Sequence, residues 1–126
     1  MELSISPGTP VRFPIRIYGA VGVREVMALL DTGASVLTIS PEAAAALGYD
    51  LGRAPTVRVV TASGAIDAPR VLLSRVQVGE FAIESVPAIC LDVSGAGASC
   101  LLGLSALARL NVFLGNKSGT LTITDP

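Results

Sequence analysis

Apolar residues alternate with other residues from Val11 to Ile17, at Val11, Phe13, Ile15 and Ile17. A two-residue period is that of a strand with one buried face. Pro14 lies inside this run, which implies an open edge or a bulge, because proline cannot donate to a ladder. After a turn over residues 19–22, a second strand is expected from Val23 to Leu30. Its last five residues, Val26-Met27-Ala28-Leu29-Leu30, are continuously apolar, which predicts burial on both faces. A short strand follows at Val36–Ile39. Thr56–Val60 and Ala65–Pro69 read as the arms of a hairpin with Thr61-Ala62-Ser63-Gly64 at its tip. Val71–Val78 and Phe81–Val86 form another around Gly79-Glu80. Ala88–Val93 is a further strand, Ser94–Ser99 a flexible loop, and Leu101-Leu102 a short apolar strand ending at Gly103. A last hairpin joins Asn111–Leu114 to Thr120–Thr124 around residues 116–119.

Two segments break the strand pattern. Ser40-Pro41-Glu42-Ala43-Ala44-Ala45-Ala46-Leu47-Gly48 predicts a helix. Ser40 can cap it, Pro41 suits its first position, Glu42 favours the positive end of the dipole, and Gly48 suits a left-handed stop. A second short helix is expected from Ser105 to Leu110. Many short strands, frequent turns and two short helices predict an all-β fold, a closed barrel or sandwich, in one domain over residues 1–126. No internal repeat or linker interrupts it.

Composition narrows the function classes. The chain has 126 residues, 51% of them hydrophobic and 15% charged, so a packed core is expected rather than disorder. The net charge of −1 and the scattered basic residues give no footprint for nucleic acid or for an anionic membrane. No apolar run approaches the roughly 20 residues of a membrane span. The start, Met1-Glu2-Leu3-Ser4, lacks the features of a signal peptide, so a cytoplasmic location is expected unless the chain is trimmed from a larger one. There is no histidine, which removes Ser-His-Asp and Cys-His nucleophile pairs. Two cysteines alone cannot fill a zinc shell, so neither a metal nor another cofactor is expected. Cys90 and Cys100 read best as two small buried thiols, with a disulfide between them left open.

General acid-base work in such a chain falls to carboxylates. Among the ten, Asp31 stands out, at the end of the apolar run and followed by Thr32-Gly33-Ala34-Ser35. A carboxylate beside a small residue and a glycine, at the mouth of a buried strand, is placed to do chemistry. Taken alone it is also consistent with a turn-forming Asp. Far downstream, Leu101-Leu102-Gly103 and the second helix add a second signal. Asp50, Asp67 and Asp92 read as solvated charges.

The order strand, Asp-Thr-Gly-Ala-Ser, helix, hairpin, Leu-Leu-Gly, helix resembles the retropepsin-like aspartic proteases, the single-lobed relatives of pepsin, and among them the cellular, especially bacterial, members. Ser40–Gly48, Leu102-Gly103 with Leu107, and Leu121-Thr122-Ile123 fit that pattern, and the resemblance spans residues 10 to 124. It implies an aspartic endopeptidase in which two carboxylates share one proton and hold one water, as is established for aspartic proteases. One Asp-Thr-Gly supplies half of such a site, so the resemblance implies a homodimer with two Asp31 side chains on its axis. By the same resemblance Thr32 and Gly33 support the dyad, Thr61, Ala62, Ser63, Gly64 and Ala65 form a flap over a peptide or protein substrate, and Ala34 and Leu101 line a subsite. Two other readings compete with this one. One is a non-catalytic dimeric peptide-binding or assembly module of the same fold. The other is an Asp phosphoenzyme, disfavoured because residues 32–41 hold no second acid to help bind magnesium.

Overall fold

The computed structural model describes residues 1–6, 9–31, 33–61, 64–93, 95, 98–115 and 119–124. Ten strands and two short helices follow one another as β1 (Glu2–Ser4), β2 (Arg12–Gly19), β3 (Gly22–Leu30), β4 (Leu37–Ile39), α1 (Pro41–Ala46), β5 (Thr56–Thr61), β6 (Gly64–Val78), β7 (Phe81–Cys90), β8 (Cys100–Leu102), α2 (Leu104–Leu107), β9 (Asn111–Gly115) and β10 (Thr120–Thr124). The main sheet has the order β2-β3-β8-β4-β7-β6-β5, and pairing of β2 with β6 closes six of its strands into a barrel. The fold class expected above, all-β with two short helices, is the one observed.

Closure of the barrel explains the alternation in β2. Phe13, Ile15 and Ile17 point inward and are almost fully buried, in one core cluster with Leu73, Val76 and Val78 of β6 and Val86 of β7. Pro14 is tolerated because β2 meets β6 only at Arg16–Tyr18, which leaves the strand's outer edge open at residue 14. β3 differs from expectation. Val26 and Ala28 are buried, but Met27 is exposed and Leu29 and Leu30 are only partly covered. A barrel packs one face of each strand, and no layer of helices covers the other, so the apolar run at the end of β3 is not buried on both sides.

α1 forms as its signals dictate. Ser40 Oγ accepts from the Ala43 N–H at 3.2 Å, Pro41 opens the helix, and Gly48 has φ +93°. Ala43, Ala44 and Leu47 pack on the core. α2 is shorter than expected and begins one residue earlier. Two strands are longer than expected. β7 runs unbroken through Pro87, and β6 runs unbroken through Pro69. In β6 the partner changes: Pro69 is the last residue opposite β5, and Arg70 is the first opposite β7. β1 has no counterpart in the sequence reading, since three residues carry no period. It is held by pairing with β10, with the terminal ammonium of Met1 donating to Ile123 O at 2.9 Å.

Cys90 and Cys100 are free thiols, both buried. They stand on either side of Ile39, one on β7 and one on β8, two strand spacings or about 10 Å apart. That exceeds the Cα separation a disulfide can span. Burial pushes the Cys90 thiol up and the Cys100 thiol up to about 12. Both are core residues.

Candidate active site

The segment bearing Asp31 is pinned from two sides. β8 inserts between β3 and β4, parallel to the first and antiparallel to the second. The Asp31 N–H donates to Leu102 O at 3.1 Å, which carries the β3–β8 ladder one residue past the end of β3. The chain then turns sharply. Ala34 N–H donates to Asp31 O at 3.2 Å, and Asp31 Oδ1 accepts the Gly33 N–H at 3.0 Å. That last bond fixes the orientation of the carboxyl group, which is half-buried.

Gly103 is what allows the two halves of the motif to meet. A Cβ there would lie 2.5 Å from Val36 O and 2.7 Å from Ala34 O, both backbone atoms. On either side of it, Leu102 O takes the Asp31 N–H, and the Leu104 N–H donates to Ala34 O at 2.9 Å. Leu-Leu-Gly is therefore the clamp on the Asp loop. Sequence reading did not single out Ser105 for a role. Its hydroxyl accepts from the Leu37 N–H and donates to Pro87 O, each at 2.9 Å, and so ties β4, β7 and α2 together. A hydroxyl at the first position of a predicted helix carries no signal of such a long-range role.

A groove of about 520 Å³ opens beside this loop. Gly33 and Ala34 line its near end, Leu101, Thr38 and Ile89 its floor, and Val57 and Val59 of β5 its wall. Ala34 and Leu101, expected to line a subsite, are both among the groove's lining residues; Asp31 is not, and the groove reaches its loop at Gly33 and Ala34. The β5–β6 hairpin stands over the groove. Thr61 and Gly64 form its closing pair, Ala65 sits opposite Val60, and Gly64 has φ +122°. Thr32, Ala62 and Ser63, expected to support the dyad or form the flap tip, lie outside the described residues. Among the described residues no three Asp, Glu or Cys side chains gather to hold a metal ion, and no helix is long and apolar enough to cross a membrane.

A closed β-barrel with an Asp-Gly loop clamped by a hydrophobic-hydrophobic-Gly strand, beside an apolar groove under a hairpin, defines a single-lobed acid-protease fold. The aspartyl protease family model matches residues 13–106, and the chain belongs to that family. A retropepsin-like aspartic protease from Rickettsia conorii superposes with TM-score 0.73 at 22% identity, covering 99% of this chain and 89% of its own. The retroviral protease-like domain of Ddi1 from Leishmania major superposes with TM-score 0.60 at 20% identity, covering 91% and 88%. The EIAV protease, in complex with the inhibitor HBY-793, gives 0.60 at 14%, covering 84% and 92%. At these identities the likeness is one of fold. Comparison with curated proteins finds no match.

Proposed function

We propose that this chain is one half of a homodimeric aspartic endopeptidase, with Asp31 as its catalytic residue and Thr32 and Gly33 supporting it. The observation that carries the reading is the Asp31 carboxyl, oriented by the Gly33 N–H on a loop that is clamped by β8 and α2 and that lines an apolar groove through Gly33 and Ala34. Two such carboxyls facing each other across a two-fold axis hold one proton between them. The charged one takes a proton from a bound water as its oxygen attacks the peptide carbonyl. The protonated one hydrogen-bonds the carbonyl oxygen as charge develops there. A proton then passes to the departing amine, and the two carboxyls again share one proton. No metal or cofactor takes part. The apolar groove favours hydrophobic residues around the cut.

Because one protomer supplies one carboxyl, activity is expected to fall faster than linearly on dilution. Parallel sedimentation and initial-rate measurements over a dilution series check this. A linear rate curve in a concentration range where the protein sediments as a monomer contradicts the dimeric site. Failure to cleave any apolar peptide, with dimer and peptide binding intact, favours the non-catalytic binding module instead.

The hairpin around Thr61–Ala65 is the flap of this reading. It pairs only within itself until β6 joins β7, so it can close over a peptide and exclude water. Gly64 sits at positive φ with open space around the position of a Cβ, so a side chain there is strained by backbone conformation alone. Gly64→Val is expected to lower turnover by roughly tenfold or more and global stability by only about 1–2 kcal/mol. Steady-state kinetics beside a urea melt separate the two effects. Full turnover in this variant makes the hairpin an ordinary sheet element.

A further inference from the structure

We propose that Arg70 sets substrate selectivity, its guanidinium receiving an acidic side chain of the bound peptide about four residues from the bond that is cut. The inference rests on the peptidase reading and adds a substrate class to it: peptides apolar at the centre, with Glu or Asp towards either end, since a two-fold dimer carries one Arg70 on each side of the cut.

The position of Arg70 follows from strand register. Leu101 stands opposite Thr38, Thr38 opposite Ile89, and Ile89 opposite Arg70. Cross-strand partners share a face of the sheet, so these four form one row across β8, β4, β7 and β6 on the outer wall of the barrel. Leu101, Thr38 and Ile89 are the floor of the groove, and Arg70 ends it. Three strand spacings place Arg70 about 14 Å from Leu101, which precedes the Leu102 whose carbonyl holds the Asp31 N–H, and an extended peptide advances about 3.3 Å per residue, so Arg70 lies about four residues along the groove from its Asp31 end.

Charge points the same way. Arg58 and Arg70 line the groove, and no acidic residue is among the described residues lining it. Arg58 is already matched by Asp67 across the hairpin, at 3.7 Å. Among the described residues no carboxylate lies within ion-pair distance of Arg70, whose side chain is exposed. Its backbone is fixed, because the Arg70 N–H donates to Pro55 O at 2.8 Å at the point where β6 leaves β5 for β7. A held root and a cation without a carboxylate partner among the described residues, at the end of an apolar trough, suit a carboxylate carried by an extended chain.

The test uses labelled peptides capped at both ends, so that a side chain is the sole source of the carboxylate. Each has an apolar centre and carries Glu or Gln at one position, three to five residues to either side. Binding is read by fluorescence anisotropy on the Asp31→Asn protein, and cleavage on the unaltered one. At one position on each side Glu is expected to bind roughly two- to fivefold more tightly than Gln at low salt, less so at high salt. Arg70→Ala brings that ratio to about one, and Arg70→Glu inverts it. A ratio of one in the Arg70 protein, or a preference that survives both substitutions, overturns the assignment. Glu preference lost on Arg70 substitution but no cleavage of any peptide overturns the peptidase reading and leaves the arginine site standing. No measurable binding of any peptide overturns both.

Discussion

If the proposed peptidase reading holds, Asp31→Asn is expected to lower peptide cleavage by on the order of a thousandfold or more while leaving the fold and the proposed dimer in place. Asparagine has the shape of aspartate and keeps an oxygen that can accept the Gly33 N–H now bonded to Asp31 Oδ1. The loop geometry therefore survives the change. What is lost is the ability to exchange a proton with a water and with a second carboxyl, and in a homodimer one substitution removes it from both halves of the site. The check is cleavage of an apolar peptide library by the purified variant, with circular dichroism and sedimentation as controls for fold and assembly. Turnover at the level of the unaltered protein removes Asp31 from the mechanism and leaves the chain a binding module.

Gly103→Ala is expected to have the largest effect on stability. Its added methyl group would lie 2.5 Å from Val36 O and 2.7 Å from Ala34 O, well inside contact distance. Neither oxygen is on a flexible side chain. Both belong to the segment that links Asp31 to β4, and Ala34 O already accepts the Leu104 N–H. Relief requires that segment to move away from β8, which strains the bonds on both sides of Gly103. Overpacking of this kind destabilises by about 2–3 kcal/mol, or roughly 10 °C in Tm for a domain of this size. Activity is expected to fall further than the loss of folded protein explains, because the displaced segment carries Asp31. Thermal melts and kinetics on the fraction that remains folded check both parts. A Tm within 1 °C of the parent's would show that the loop and β8 are not in the contact described.

How much of this was legible in the sequence depended on the range of the interaction. α1 was readable residue by residue, because Ser40, Pro41 and Gly48 act within their own turn. The inward face of β2 was readable because Phe13, Ile15 and Ile17 carry the period themselves. The boundaries of β6 and β7 were not. Pro69 and Pro87 look like breaks, yet each strand continues because a new partner takes over or because the missing N–H costs no ladder bond. β1 was invisible, since it exists only through β10, more than a hundred positions away. The burial of β3 was overestimated because continuous apolar character does not reveal that no second layer will cover the strand's outer face. At the site, Asp31 and Leu101-Leu102-Gly103 could be read as a motif, but the reason for the glycine needed the positions of Ala34 O and Val36 O. Ser105 and Arg70 needed the register, since neither residue belongs to any local pattern.

The row that forms the groove floor has a counterpart on the other side of the same strands. Thr38, Ile89 and Leu101 face outward, while their chain neighbours Ile39, Cys90 and Leu102 face the core. On the proposed reading, what the protein recognises and what keeps it folded are thus written in alternate letters of the same three segments. Selectivity can drift by substitution in one set while the other stays untouched, so new preferences are open to the chain without a change in its interior. A single inserted or deleted residue in any of these strands exchanges the two sets, and it would lose recognition and stability together.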